Sequence, residues 1–277
     1  MIFDGKTFAR EIEQKIKTDV EKLGKKIKIV SILVGADPAS ALYTKLKKAA
    51  AERVGINFEV VKIASEKLHV ESLSSVIEEI GEREDVTGVM VQLPIIGLQG
   101  LALKEVLSAI PLNKDVDGLR WEESGIIPAT VRAVLTIIDT IAKDKTKFVV
   151  LGARGAVGRP LVHFLGERGV VVSEVEWDTP LPFGRLPKGE VVISCVGKAG
   201  LVIGEMVSDG LIAIDVGMSL PAQAGEVDGK VVGDMTREVY DKCSVAVPVP
   251  RGVGPVTIAC LLKNVVEIYD VHTGGTR

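Results

Sequence analysis

Aromatic side chains are scarce in this sequence, 4% of 277 residues, although hydrophobic residues make up 47%. Val, Ile, Leu and Ala must therefore fill the interior, and the length favours two domains over one. Cysteine is equally sparse. Cys195, Cys243 and Cys260 are far apart, odd in number and outside any CxxC spacing, which gives no cysteine-built metal site. A reduced, cytoplasmic protein is expected. Neither sign of charge dominates: 34 Lys and Arg stand against 37 Asp and Glu, for a net charge of −3, and the two are mixed along the chain. This argues against a nucleic-acid partner held by bulk electrostatics, and only the lysine-rich first 48 residues soften it locally. Long apolar runs are missing too. The longest are strand-length, so no membrane span is expected. The opening MIFDGKTFAREIEQKIK carries early charges and no apolar stretch of signal-peptide type. Repeats and low-complexity segments are also lacking.

What is present centres on the stretch from Ile32 to Gly55. It opens as an apolar strand, turns at Gly35 and Ala36, and starts a helix at Asp37 and Pro38. Asp37 suits the cap, because its carboxylate accepts from an unpaired backbone N–H. Pro38 suits the first helical position, where a missing N–H costs nothing. Tyr43 and Lys47 lie four apart, so a phenol and an ammonium share one face near the helix start. Such a lysine, in the positive field at a helix N-terminus, can act as an acid or base. Most lysines in a cluster like Lys45, Lys47 and Lys48 are simply solvated.

The first half alternates strands and helices. Apolar spacing predicts a helix over Lys6–Leu23, and strands over Ile27–Val34 and Ile56–Ile63. A helix over Val70–Gly81, the strand GVMVQL over Gly88–Leu93 and a helix over Leu101–Ile110 follow. A parallel sheet with covering helices is expected. Gln92 is the one polar side chain of GVMVQL. It lies at the end where ligands gather in open α/β sheets, the edge at which Tyr43 and Lys47 begin. It either satisfies a loop backbone or stands beside Lys47. In the turn-rich loop NKDVDG, Asp115 and Asp117 bind a metal, hold a ligand's N–H groups, or make Asx-turns. The turn is the commonest use, and no third metal ligand is near. No metal is expected.

Glu122–Ile127 reads as a crossing between domains, and Thr130–Ala142 as a helix. The strand Lys147–Leu151 then runs into Gly152, Ala153, Arg154, Gly155, Ala156, Val157 and Gly158. A helix to about Arg168 and a strand over Val170–Val175 complete a Rossmann βαβ order. Gly152 and Gly155 let the backbone approach a pyrophosphate, and the helix N-terminus supplies N–H donors. Two further buried strands, Glu190–Cys195 and Leu211–Val216, end at Gly197 and Gly217. At the end of the second Rossmann strand, Glu174, Glu176 and Asp178 favour NAD, whereas Arg154 can reach the 2′-phosphate of NADP. The Pro/Gly-dense segment Val247–Thr257 is followed by an apolar helix over Val256–Tyr269, expected to fold back onto the N-terminal domain.

Taken in order, FDGK, ILVGADPAS with its Tyr and Lys, VQLP, KDVDG, VGRP, VISCVGK and PVPRGVGPVT resemble the bifunctional methylenetetrahydrofolate dehydrogenase/methenyltetrahydrofolate cyclohydrolase family, from residue 3 to about 265. The resemblance implies an α/β enzyme of two domains, usually a homodimer, with folate in the cleft between them. Residues 1–122 with 253–277 would form the catalytic folate domain, and 123–252 the Rossmann domain for NADP or NAD. Tyr43 would stack on the folate, Lys47 would be the catalytic lysine, Gln92 would tune it, and Asp117 would hold the pterin. Leu93, Pro250, Arg251, Gly252, Gly254 and Pro255 would line the folate site. Gly152, Ala153, Arg154, Gly155, Val157, Gly158, Cys195, Val196 and Met218 would meet the nucleotide. The implied chemistry oxidises 5,10-methylenetetrahydrofolate to the methenyl cation, which water then converts to 10-formyltetrahydrofolate.

Several positions depart from the family pattern. The usual Pro-Cys-Thr-Pro-Lys/Arg-Gly is Pro128, Ala129, Thr130, Val131, Arg132, Ala133 here, and the stretch from Gly118 to Pro128 is shorter. The usual His-Ser-Arg/Lys-Thr is Glu176, Trp177, Asp178, Thr179, which removes the serine and base expected beside a 2′-phosphate. Arg154 stands where Ser is usual, and Arg251 replaces a Gly. Two other readings remain: a dehydrogenase of shikimate type with a Lys–Asp pair, and a non-catalytic nucleotide-sensing module. Short-chain dehydrogenases also use Tyr-x-x-x-Lys, but after the glycine turn rather than about a hundred residues before it.

Overall fold

The computed structural model describes residues 1–64, 69–181, 184–219 and 231–272. Contacts divide the chain into two compact units. One holds Met1–Ala9 and Thr130–Thr257, the other Arg10–Ala129 and Ile258–Arg277.

The second unit is built on three parallel strands, β1 (Lys28–Val34), β2 (Asn57–Ile63) and β3 (Gly88–Val91), in the order β2-β1-β3. Around them run α1 (Gly5–Leu23, begun in the other unit), α2 (Pro38–Arg53), α3 (Val70–Glu82), α4 (Gly100–Ser108) and α5 (Trp121–Ser124). Strand alternation sorts β1 between two cores. Ile29 packs with Ile27, Phe58, Met90 and Leu262, whereas Val30, Ile32 and Val34 pack with Leu73, Ile77 and Ile110. A fully buried side chain of this size stabilises the fold by about 1.5–3 kcal/mol. Strand register is therefore well specified, since a slip of one residue would exchange the two faces.

The first unit carries a five-stranded parallel sheet, β5-β4-β6-β7-β8, from β4 (Lys147–Leu151), β5 (Val171–Val175), β6 (Val191–Ser194), β7 (Ile212–Asp215) and β8 (Val245–Val247). Helices α6 (Ala129–Ile141), α7 (Gly158–Glu167) and α8 (Arg237–Lys242) accompany it. Strand β8 and helix α8 are elements the apolar pattern did not reveal, because three and six residues are too few to show a period. The chain start belongs to this unit. The Phe3 N–H donates to the Ala246 carbonyl and the Ala246 N–H to the Met1 carbonyl, so residues 1–3 run beside β8.

The last helix, α9, spans Val253–His272 rather than starting at Val256. Gly254 and Pro255 are thus in its first turn, where a proline is tolerated. From Ile258 onward it packs as expected into the N-terminal core, with Leu261, Leu262 and Val265 fully buried against Ile27, Ile29 and Val54. Within α9, Asn264 is a buried polar exception. Its carboxamide donates to the carbonyls of Val116 (2.9 Å) and Ile127 (3.0 Å).

Candidate active site

Helix α2 starts as its sequence requires: the Asp37 carboxylate accepts from the Ser40 N–H at 2.7 Å, with Pro38 at the first position. Lys47 lies nine residues beyond Pro38, so it is not near the helix start, and the end effects of the first turn have faded there. Its chemistry comes from direct neighbours instead. Lys47 is 7% exposed, and its Nζ donates to Gln92 Oε1 at 3.1 Å and faces Asp117 Oδ2 at 3.6 Å. Tyr43, half-buried on the same helix, has its phenol raised above its ordinary value by burial.

Gln92 follows directly after β3, which ends at Val91. Both of its earlier readings hold: Oε1 accepts from Lys47, and Nε2 donates to the Leu93 carbonyl at 2.7 Å. With both ends engaged, the carboxamide has one orientation. Leu93 is half-buried at the same strand end.

The two acids of KDVDG divide their work. Asp115 is fully buried and pairs beside Val89 of β3. Its carboxylate accepts from the N–H groups of Leu119 (3.1 Å) and Arg120 (2.7 Å), which is the turn reading. Burial pushes its pKa up to about 6, against the lowering by those backbone donors. Asp117, two residues on, is left to face Lys47. Gly118 closes the turn at φ +69°, where a side chain would strike Pro128. Asp115 thus fulfils the commonest of its three readings, whereas Asn264 is a support that the sequence reading did not assign. A lone Asn in an apolar helix was the available signal for it.

In the other unit, the glycine turn leads from β4 into α7. Gly152 adopts φ +74°, and a side chain on Gly158, the first residue of α7, would collide with the Gly152 carbonyl. The Gly155 N–H donates to the Gly152 carbonyl at 3.0 Å, closing the turn. Ala153 is buried, Val157 half-buried, and Arg154 and Gly155 exposed. No side chain caps α7; the Arg159 N–H donates to the Gly155 carbonyl at 3.0 Å and Pro160 has no N–H, so the helix start is closed largely by backbone of the glycine turn. The half-buried Cys195 and Val196 follow β6, and half-buried Met218 follows β7.

Two buried acids hold this edge, and neither was read from sequence. Asp234 accepts from Ser194 Oγ (2.7 Å) and from the N–H groups of Val196 (2.8 Å), Gly197 (3.2 Å) and Lys198 (2.8 Å). Asp215 accepts from the Asp234 N–H (3.1 Å), the Met235 N–H (2.9 Å) and the Tyr240 hydroxyl (2.7 Å). Burial pushes Asp215 up to about 7. Its signal was an acid ending the apolar strand LIAIDV.

Pro250 and Arg251 are exposed, Gly252 is buried, and Gly254 and Pro255 are half-buried at the start of α9. Arg251 adopts φ +82°, and a side chain on Gly252 would meet the Pro248 carbonyl.

A dinucleotide fold in one unit and a buried lysine, amide and carboxylate at a sheet edge in the other define a two-domain α/β enzyme that uses a nicotinamide nucleotide. Family models resolve the class further. The tetrahydrofolate dehydrogenase/cyclohydrolase catalytic domain matches residues 3–117, and the NAD(P)-binding domain of the same enzymes matches residues 128–273. The bifunctional protein FolD of Lactobacillus gasseri is 36% identical, with 99% of each chain covered. That of Methanoculleus marisnigri is 31% identical over 100% of this chain and 99% of its own. Among solved structures, the bifunctional methylenetetrahydrofolate dehydrogenase/cyclohydrolase FolD of Campylobacter jejuni superimposes with a TM-score of 0.88 at 31% identity, covering 98% of this chain and 99% of that one. The Trypanosoma brucei enzyme complexed with NADP cofactor and inhibitor gives 0.88 at 28% identity, covering 99% and 98%. The chain belongs to the tetrahydrofolate dehydrogenase/cyclohydrolase family. Membership sets aside the shikimate-type and nucleotide-sensing readings. Among the described residues, no helix is long and apolar enough to cross a membrane.

Proposed function

We propose that the protein oxidises 5,10-methylenetetrahydrofolate to 5,10-methenyltetrahydrofolate and hydrolyses that cation to 10-formyltetrahydrofolate. The observation that carries this is the buried Lys47 held by Gln92 and Asp117. A lysine fixed by an amide oxygen and a carboxylate can take a proton from an attacking water as the amine and give it up again as the ammonium, while keeping its position. Asp117 also offers acceptors for the N–H groups of a pterin, and Tyr43 a face for stacking. Leu93, Pro250, Arg251, Gly252, Gly254 and Pro255 are the further folate contacts of this proposal.

The bound nicotinamide, of NADP as in the T. brucei neighbour or of NAD, supplies the hydride acceptor. The chain's own residues suit a dinucleotide: the glycine turn at Gly152, Ala153, Arg154, Gly155, Val157 and Gly158 folds tightly between β4 and α7, and no side chain caps the helix start where a pyrophosphate would lie. Cys195, Val196 and Met218 line the ends of the neighbouring strands.

Functionally we divide the chain as 1–122 with 253–277 for folate and 123–252 for nucleotide, with residues 1–9 an arm that packs on the nucleotide unit. We further infer a cytoplasmic homodimer that serves purine biosynthesis. Sedimentation at the mass of two chains checks the dimer.

Lys47→Met tests the central assignment. Hydrolysis of the methenyl cation is expected to disappear while circular dichroism stays native. Retained hydrolysis in that variant would overturn the role of the lysine.

A further inference from the structure

The second strand of the nucleotide unit ends in an acid that the glycine turn holds in place. Glu176 follows β5, and its Oε1 accepts from the Arg154 N–H at 2.8 Å. Its own N–H donates to Thr179 Oγ1 at 3.0 Å, and its carbonyl accepts from the Thr179 N–H at 3.1 Å. Backbone and side chain are thus both fixed, and the carboxylate stands against the turn. In a Rossmann unit this is where the hydroxyls of the adenosine ribose lie.

The cations nearby are loosely placed. Arg154 Nε is 4.0 Å from Glu176 Oε1, and that guanidinium is 86% exposed. Lys198 Nζ lies 4.9 Å from the centre of the Trp177 ring. A ribose 2′-hydroxyl would donate to the carboxylate as a charge-assisted hydrogen bond. A 2′-phosphate, at close to two negative charges, would be set against a fixed negative charge instead. The Arg154 ion pair offsets part of that repulsion, so NADP still binds, but the solvated guanidinium cannot cancel it.

We propose that Glu176 sets the nucleotide preference of this enzyme, making it bind NAD more tightly than NADP. The inference rests on the dehydrogenase reading above and departs from the basic residue usual at this point in the family.

Calorimetric titration of the full-length protein with NAD⁺ and with NADP⁺, at one ionic strength, tests it. NAD⁺ is expected to bind about tenfold more tightly or better, the size of one like-charge contact partly screened by water. Glu176→Gln keeps a carbonyl for the Arg154 N–H and removes the charge, so it should strengthen NADP⁺ binding and bring the two affinities together. Arg154→Ala should widen the gap by weakening NADP⁺ alone. Equal or tighter binding of NADP⁺ by the native chain overturns the inference, as does an unchanged ratio in Glu176→Gln. If neither nucleotide binds, the dehydrogenase reading falls as well. If NAD⁺ is preferred but methylenetetrahydrofolate is not oxidised, the preference stands and only the substrate assignment fails.

Discussion

The carboxyl edges of the two parallel sheets are built from different material. In the three-stranded unit the edge presents side chains: Lys47 from α2, Gln92 from the end of β3, Asp117 from the loop beyond. In the five-stranded unit the edge presents mainly backbone, a glycine turn and the loop from Val196 to Lys198, with carboxylates behind them. Proton transfer needs titratable atoms at fixed positions, whereas a nucleotide needs N–H groups and room. Each edge nevertheless relies on a buried acid whose carboxylate is taken up by backbone N–H groups. Asp115 folds the loop that carries Asp117, and Asp234 gathers the N–H groups after β6. The contrast is between the groups displayed, not between the ways they are supported.

Removing the support from the backbone edge should have the largest effect. Asp234→Ala leaves one buried hydroxyl and three part-buried backbone donors without their acceptor. Urea unfolding should show a loss of about 3–5 kcal/mol, the usual cost of breaking a buried charged network, together with weaker nucleotide binding. A loss under about 1 kcal/mol would mean the loop holds its shape unaided. On the side-chain edge the comparable change is Asn264→Leu. It leaves the Val116 and Ile127 carbonyls unmatched on either side of Asp117 in sequence, at a cost of about 2 kcal/mol. Here hydrolysis should suffer more than nucleotide affinity. Equal losses in both would erase the distinction between the edges.

A buried acid in each unit, Asp115 and Asp215, also makes stability depend on pH. Both Asp115 and Asp215 are raised by burial, to about 6 and about 7. Over the range above the ordinary carboxylate value, the folded state keeps a proton that the unfolded chain has released. Stability from each group is therefore full at low pH and declines as pH rises, up to about 6 for Asp115 and about 7 for Asp215. Melting temperatures measured from pH 5 to 8 should show the native chain losing more stability between pH 6 and 7 than Asp215→Asn does. Parallel curves for the two proteins would remove Asp215 from this account.

Much of this was legible because the relevant signals are local. Asp37 and Pro38 mark a helix start by capping chemistry, and glycines mark a turn by what a side chain would strike. Strand ends alone could bring Gln92 to Lys47, whereas Asp117 joined them only through the family resemblance; the helical position of Lys47 was misjudged, and its contacts, not the helix end, define its setting. Asp234, Asp215 and Asn264 were passed over since their partners lie up to 148 residues away in sequence. No spacing rule reaches that far. The short strand β8 escaped for a different reason: Val245–Val247 is recognisable only by its pairing with β7.

Arg251 offers the finest comparison, since here one residue departs from the family and the backbone does not follow it. It stands where glycine is usual and adopts φ +82°, a conformation that costs an L-residue roughly 1–2 kcal/mol and glycine almost nothing. Its neighbour Gly252 is locked by an N–H donated to the Pro248 carbonyl at 2.8 Å, so the loop cannot relax by turning there. The arginine side chain is exposed, and Asp4 is the charged group it influences. Arg251→Gly should therefore stabilise the protein, by about 1 kcal/mol after the larger entropy of an unfolded glycine is set against the relieved strain. A rise in melting temperature of roughly 2–4 °C would register it. A fall would show that the arginine supplies a contact worth more than the strain, and would make it a functional replacement rather than a tolerated one.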